Sequence, residues 1–316
     1  MPPGVEYYFE RYADLDLHRR MVADRHRTDA FARAIASVVR EGDMVIDVGT
    51  GTGVLAMLAA KAGARRVLAI DQSEIAVVAA DLVKRNGLRD RVKVLKGPAA
   101  ELQTEEGPAD VIVSEWLGNM ALVEGMLEDV ITVRDRHLAP GGRMIPASTS
   151  VMLAPLNDPT LYVYEGPGFW RDFVAGLDFT SLEDRELRQG RSLQMRIEPP
   201  ALLADGQSML DLDLVTVRSD ALHAEGELIF HARRDAVLNG FAGWFSATLA
   251  PGVVLDTSPR SPETHWAQTY MPFRPRMVRE GERMAVSFRL EPDHEETRHL
   301  RLTLAVGEDE QMYVIE

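Results

Sequence analysis

Met44-Val45-Ile46-Asp47-Val48-Gly49-Thr50-Gly51-Thr52-Gly53 is an apolar run that stops at a glycine-rich turn, and Val54–Ala62 continues it as a helical stretch. A hydrophobic strand entering such a turn and then a helix is the pattern of a nucleotide-type cofactor site. Glycines let the backbone turn tightly and come close to a ligand with no Cβ between them. A dinucleotide loop puts its third glycine three residues after the second; here that position is Val54, and the glycine is Gly53. The spacing disfavours NAD and its pyrophosphate. It suits S-adenosylmethionine, whose amino-acid end must lie close to the loop. Asp47 is placed to take the ammonium of that end, directly or through water.

Outward from this loop the strand–helix rhythm continues. Val67–Ile70 is a second strand ending in Asp71, about 20 residues past the loop, where an acid is expected to bind ribose hydroxyls. Ser73 and Glu74 also suit a helix start there, and one acid can serve both purposes. Val92–Leu95 is a third strand leading into Gly97-Pro98-Ala99-Ala100-Glu101, the turn against which the adenine is expected to lie. Ala109–Val113 is a fourth strand. Met126–His137 reads as a helix closed by Pro140-Gly141-Gly142, and Arg143–Pro146 as a fifth strand. Residues 41–146 thus read as a Rossmann-like α/β domain. Before it, residues 7–40 read as helices, with Leu17, Met21, Phe31, Ile35 and Val38 at helical spacing.

After Pro146 the pattern changes to short alternating runs separated by Gly, Pro and Asp: Ser148–Leu153, Met209–Val215, Glu225–Ala232, Ala242–Leu249, Met284–Leu290 and Leu300–Val306. Residues 147–316 therefore read as an antiparallel sheet or barrel. One interruption, from Tyr162 to about Arg191, carries Tyr164, Phe169, Trp170, Phe173 and Phe179 before a charged helical segment. Such a projection inside a β domain is either a loose insertion or an arm that docks on a partner subunit, and its aromatics favour docking.

Composition narrows the function classes. The chain has 316 residues and a formal net charge of −14, which argues against a nucleic-acid binder and favours basic substrates by electrostatic steering. It has no cysteine, so disulfides, thiolate chemistry and Cys-ligated zinc are excluded, and no metal is expected. No signal peptide or membrane-spanning run is visible, so a cytoplasmic location is expected. Of 35 basic residues only Lys61, Lys84, Lys93 and Lys96 are lysine, a bias that suggests a GC-rich bacterial genome.

The fourth strand feeds Ser114-Glu115-Trp116-Leu117-Gly118-Asn119-Met120-Ala121-Leu122-Val123-Glu124-Gly125-Met126. Beyond the carboxyl end of a parallel strand is where open α/β sheets keep their ligands. Glu115 and Glu124 on one such loop suggest a clamp for a flat cation.

With the glycine loop, this stretch resembles the double-glutamate loop of the protein arginine methyltransferase family. The resemblance extends to Tyr8-Phe9-Glu10-Arg11-Tyr12 and to Thr264-His265-Trp266 with Gln268-Thr269, and it covers nearly the whole chain. It implies a Rossmann-like S-adenosylmethionine-dependent methyltransferase domain, an antiparallel β-barrel-like domain, and a helical dimerisation arm over residues 162–195 that would make a homodimer. It implies that Glu115 and Glu124 grip a guanidinium, whose planar fork of donors matches carboxylates. Glu124, or His265 paired with Asp24, would take the proton. Arg27 would hold the cofactor's carboxylate, while Tyr8, Phe9 and Tyr12, within N-terminal helices of residues 1–40, would close over it. Gly49, Gly51, Gly53, Asp71, Ala99 and Ala100 would line the cofactor, and S-adenosylhomocysteine would be the product. Met21, Trp116 and Trp266 would shape the acceptor pocket; Met21 with His265 resembles the asymmetric-dimethylating branch.

Two departures from the family pattern stand out. The adenine turn has Ala100 and Glu101 where a pair of acids is usual, and Asn119 replaces an aromatic. The resemblance implies protein or peptide arginine as the acceptor; Asn119, near the substrate entry, and the inferred bacterial origin favour free L-arginine or a small guanidine as the alternative. A catalytically silent cofactor-binding scaffold is a further alternative, which the intact acids disfavour.

Overall fold

A computed structural model describes residues 15–172, 175–293, 296 and 298–316. Tyr8, Phe9, Tyr12 and Phe173 lie outside the described residues. Two helices open the described chain, α1 (Leu15–Ala23) and α2 (Arg25–Val38). They are separated at Asp24, which caps α2 by accepting the Arg27 N–H at 2.9 Å.

Five parallel strands follow: β1 (Met44–Val48), β2 (Arg66–Asp71), β3 (Val92–Lys96), β4 (Ala109–Ser114) and β5 (Leu138–Ile145). Their order is β3-β2-β1-β4-β5. Helices α3 (Val54–Lys61), α4 (Ile75–Arg85) and α5 (Leu127–His137) alternate with them. All five β1 residues are buried, as expected for a strand covered on both faces. The chain winds outward from β1 to β3 and then returns to place β4 on the other side of β1. This reversal opens a crevice at the carboxyl ends of β1 and β4. Val48 is in register with Ser114, so the glycine loop and the double-glutamate loop leave the sheet side by side.

The fifth strand differs from its expected bounds. Residues 138–145 run as one strand whose register against β4 shifts between Ala109 and Val111. The helix before it stops at His137, ahead of Pro140. The proline and two glycines are thus absorbed by an irregular strand rather than by a helix-ending loop.

The rest of the chain forms two antiparallel sheets. One has the order β7-β12-β10-β6-β8, with β11 also paired to β10, and the other β15-β14-β13-β9. The first contains β6 (Ser148–Leu156), β7 (Leu193–Met195), β8 (Gln207–Asp213), β10 (Ala236–Ala250), β11 (Val253–Asp256) and β12 (Gln268–Val278). The second contains β9 (Ala224–His231), β13 (Arg283–Pro292), β14 (Leu300–Val306) and β15 (Asp309–Ile315). Strand β12 carries Pro272 and Pro275, which interrupt its alternating pattern. It is accommodated because the β10–β12 register shifts between Leu238 and Gly240, next to Pro272. Strands β7, β11 and β15 lie outside the alternating runs quoted from the sequence.

Between β6 and β7 lies the arm, built from α6 (Pro159–Tyr164), a 3-10 turn (Pro167–Arg171) and α7 (Ser181–Gln189). Its parts are tied by Tyr162 donating to Glu183 at 2.8 Å and by the Trp170 indole donating to Glu186. Arg274 of β12 donates to Asp184 at 2.9 Å and so fastens the arm to the sheet. The two halves of the molecule are joined by α2, which packs on β10 and β11, and by buried Arg134, which donates to the Leu214 carbonyl at 2.9 Å. Among the described residues no helix is long and apolar enough to cross a membrane.

Candidate active site

The glycine loop takes its shape from β1, β2 and the start of α3. Gly49, Gly51 and Gly53 have φ of +69°, +54° and +80°, a region that L side chains resist. A Cβ on Gly49 would also come within 2.6 Å of the Met126 terminal methyl. Asp47 lies wholly buried beneath the loop and accepts from Thr50 Oγ1 at 2.6 Å and from the Ala56 N–H at 3.0 Å. Its other oxygen, Oδ1, has no hydrogen-bond partner. Burial pushes this carboxyl up to about 7, with Asp71 adding to the rise and Thr50, Ala56 and Arg27 opposing it. Asp71 accepts from the Gly51 N–H at 2.9 Å and from Ser73 N–H and Oγ at 2.9 and 2.7 Å. The ribose-binding candidate therefore also braces the loop.

A cavity of about 440 Å³ opens beside the loop, lined among others by Gly49, Asp71, Ala99, Glu115, Glu124 and Asp129. Both clamp candidates thus face the space that the glycine loop borders. Ala100 does not line it; its carbonyl accepts from Arg136. His18 belongs to none of the motifs read from the sequence. It is buried, with its ring 3.3 Å from where a Gly51 Cβ would stand, so α1 seats a titratable side chain directly on the loop. No sequence signal separates it from an ordinary core histidine.

A second cluster meets the first at Glu115. Arg27 reaches Glu115 Oε2 through Nε at 2.8 Å and Nη2 at 2.5 Å, and its Nη1 donates to the Met21 carbonyl at 3.3 Å. Both side chains of this pair are 7% exposed. The remaining Glu115 oxygen accepts from the Leu117 N–H at 3.1 Å. Asp24 holds His265 twice, accepting from its ring Nδ1 at 2.8 Å and its backbone N–H at 2.9 Å. Burial raises the Asp24 carboxyl, but the hydrogen bonds from His265 and Arg27 outweigh it and the net shift is downward. With Nδ1 carrying its proton toward Asp24, the other ring nitrogen of His265 is left as an acceptor. The Trp266 ring lies 4.0 Å from that of His265, and its indole N–H donates to the Leu117 carbonyl at 2.7 Å. Trp116 is buried, its indole N–H without a partner.

The loop between the two glutamates is tightly wound. Gly118 and Ala121 exchange backbone hydrogen bonds at 3.1 and 3.0 Å. A Cβ on Gly118 would fall 2.1 Å from the Val123 carbonyl oxygen, so only glycine fits there. Met120, Ala121 and Glu124 adopt φ of 47°, 67° and 88°. The Glu124 N–H donates to the Arg298 carbonyl at 2.9 Å, and the Asn119 amide donates to the Glu316 carbonyl at 2.7 Å.

An unsatisfied buried acceptor beneath a glycine cradle, an acid at the end of β2, and two carboxylates beyond β4 fit a cofactor with an ammonium, a ribose and a positively charged reacting partner. The fold and site define a Rossmann-like, S-adenosylmethionine-dependent methyltransferase. Comparison with known proteins sharpens this. Residues 148–311 match the family described as arginine methyltransferase oligomerization subdomain, and residues 24–148 match ribosomal protein L11 methyltransferase (PrmA). The chain is 34% identical over 322 residues to probable protein arginine N-methyltransferase 6 of Arabidopsis thaliana, covering 86% of this chain and 72% of that protein. It is 31% identical to protein arginine N-methyltransferase 1 of Dictyostelium discoideum, covering 95% of this chain and 89% of that protein. Among solved structures, a Trypanosoma brucei PRMT1 enzyme–prozyme heterotetrameric complex with AdoHcy superposes with a TM-score of 0.88 at 31% identity, covering 96% of this chain and 99% of that one. The chain belongs to the protein arginine N-methyltransferase family. It is an S-adenosylmethionine-dependent arginine N-methyltransferase.

Proposed function

We propose that Glu115 and Glu124 clamp the guanidinium of an arginine within a protein or peptide, and that His265, held by Asp24, receives the proton released on methylation. The observation that carries this reading is the placing of both glutamates on one cavity with Gly49 and Asp71. S-adenosylmethionine, when bound, supplies a methyl group on an electrophilic sulfonium. Asp47, with its unsatisfied oxygen, would receive the ammonium of that cofactor and Asp71 its ribose. Arg27 makes hydrogen bonds to Glu115 and Met21 with three of its five N–H groups, which leaves two for the cofactor's carboxylate. Arg27 would then fix the position of the cofactor and of Glu115 together.

The two carboxylates act by position and charge. They draw the guanidinium's positive charge toward the nitrogens they bind and leave the third nitrogen richer in electrons. A guanidinium has a pKa above about 12, so its proton stays until the C–N bond forms. The acceptor nitrogen of His265 or a carboxylate oxygen of Glu124 then takes it. Asn119 donates one amide N–H to the backbone of Glu316.

Two copies of the chain would associate through the arm, whose Tyr164, Phe169 and Leu177 are 74%, 48% and 63% exposed. Their burial against a second copy would offset the loss of freedom on association.

The test is transfer of isotope-labelled methyl from S-adenosylmethionine to Arg-Gly peptides, free arginine and a protein lysate, with mono- and dimethylated products resolved. Label on peptide and protein is expected; label on free arginine alone would overturn the acceptor assignment. Deleting residues 162–195 should leave a monomer by light scattering.

A further inference from the structure

The proposed cofactor spans the strand ends in order: the glycine loop after β1 for the amino-acid end, Asp71 at the end of β2 for the ribose, and Gly97 after β3 for the base. Neighbouring strands are about 4.8 Å apart, so each step outward moves one moiety along an extended ligand. An adenine placed there presents an exocyclic amino group, a donor that needs an acceptor once water is excluded. The β3 turn supplies none from its side chains. Ala99 lines the cavity with a methyl group, while Glu101 is exposed and does not line it. Several of the turn's carbonyls are already engaged. Pro98 and Ala99 accept from Glu101 and Leu102 at 3.1 and 3.0 Å. Ala100 accepts from Arg136, and Leu102 bonds the His137 ring at 3.1 Å.

These last two contacts show which face of α5 looks at the turn. Asp129 stands two helical turns before Arg136, and residues seven apart share a face. Asp129 and neighbouring Glu128 both line the cavity, but Asp129 is half-buried on the helix face that meets the turn, whereas Glu128 is exposed. Resting on the cofactor reading of this cleft, we infer that Asp129 accepts the adenine amino group, from α5 and across the cavity from the alanine-bearing turn. Burial and Glu128 push its carboxyl upward, while the positive charge of Arg298, which lines the same cavity, favours the ionised, accepting form. A carboxylate has about four lone-pair sites, and the arginine's field strengthens their acceptance of an amino hydrogen. Asp129 would thus be a specificity residue that supplies the adenine recognition missing from Ala100.

Calorimetric titration with S-adenosylhomocysteine and with its 6-oxo analogue, S-inosylhomocysteine, tests this without reference to turnover. Wild-type protein should prefer the adenine ligand by about ten- to a hundred-fold, the range for a hydrogen bond to a charged acceptor. Asp129→Ala should lose most of that affinity and bind the two ligands about equally. Asp129→Asn offers an N–H to the 6-oxo group, and should bind the inosine ligand about tenfold more tightly than wild type. A merely structural role for Asp129 would not produce that gain. Glu128→Ala should leave both affinities near wild type. The inference is overturned if Asp129→Ala keeps wild-type discrimination, if Asp129→Asn shows no gain toward the 6-oxo ligand, or if Glu101→Ala abolishes the preference instead. A wild-type protein that binds neither ligand overturns the cofactor reading, and the inference with it.

Discussion

The glycine loop and the double-glutamate loop leave adjacent strands of one sheet, yet they are held in opposite ways. The first assigns its positive-φ positions at 49, 51 and 53 to glycine, and its polar braces, Asp47 and Asp71, come from β1 and β2 beside it. The second puts Met120, Ala121 and Glu124 at positive φ, which costs of the order of 1–3 kcal/mol per residue. Its braces come from far along the chain: Trp266 to Leu117, Arg298 to Glu124, and Glu316 to Asn119. The glycine loop is therefore braced by its own strands and by His18 of the preceding helix, while the double-glutamate loop is braced by the antiparallel domain. A fold that binds many ligands becomes specific for one acceptor when a second domain bends its loop.

That contrast can be broken in graded steps. The largest effect is expected from Glu115→Gln and Glu124→Gln, each of which should lower methyl transfer by roughly a thousandfold while sparing cofactor affinity; near-normal turnover in either would remove the clamp. Gly49→Ala should act on the other side. Forced to a positive φ and pressed against Met126, it should weaken S-adenosylhomocysteine binding by about ten- to a hundred-fold in calorimetry. Trp266→Phe keeps the packing but loses the donor to Leu117, and should lower kcat by about tenfold with cofactor affinity unchanged. If cofactor affinity falls as well, the two loops are not independently held.

Smaller effects concern stability. Glu124→Gly relieves the backbone at φ 88° and should stabilise the protein by about 1 kcal/mol in denaturant unfolding while ending transfer. Asp47 gives a pH signature. Its folded carboxyl is raised to about 7 from 3.8, so between these values the folded state holds a proton that the unfolded state has released. Stability of the cofactor-free protein should therefore fall as pH rises from about 4 to about 7. Asp47→Asn should flatten that slope in thermal melts and weaken cofactor binding; a slope equal to wild type would show that another group dominates it.

Much of the parallel domain is legible because each strand is a short apolar run with a chemically marked end, such as Asp71 or Glu115. The antiparallel domain is less so. Strand β12 hides behind Pro272 and Pro275, and β10 runs from Ala236, six residues before its expected start. Within that extension the Asn239 side chain is buried and accepts from the Asp158 N–H at 2.9 Å. In the site, Glu115, Glu124, Asp47, Asp71 and the Asp24–His265 pair carry recognisable side chains in recognisable order. His18 and the braces on the glutamate loop do not, since nothing local marks a tryptophan that will meet a carbonyl 149 residues away.

Asp24 has one further consequence. The same carboxylate starts α2 and orients His265. Asparagine, aspartate and serine serve about equally well as helix caps, so selection for folding alone would let this position drift among the three. The proposed proton transfer would distinguish them, because only the acid can also balance the charge of an imidazolium. A lineage released from methylation would then be free to exchange Asp24 for another capping residue, and the enzyme would fall silent while its second helix still had a cap.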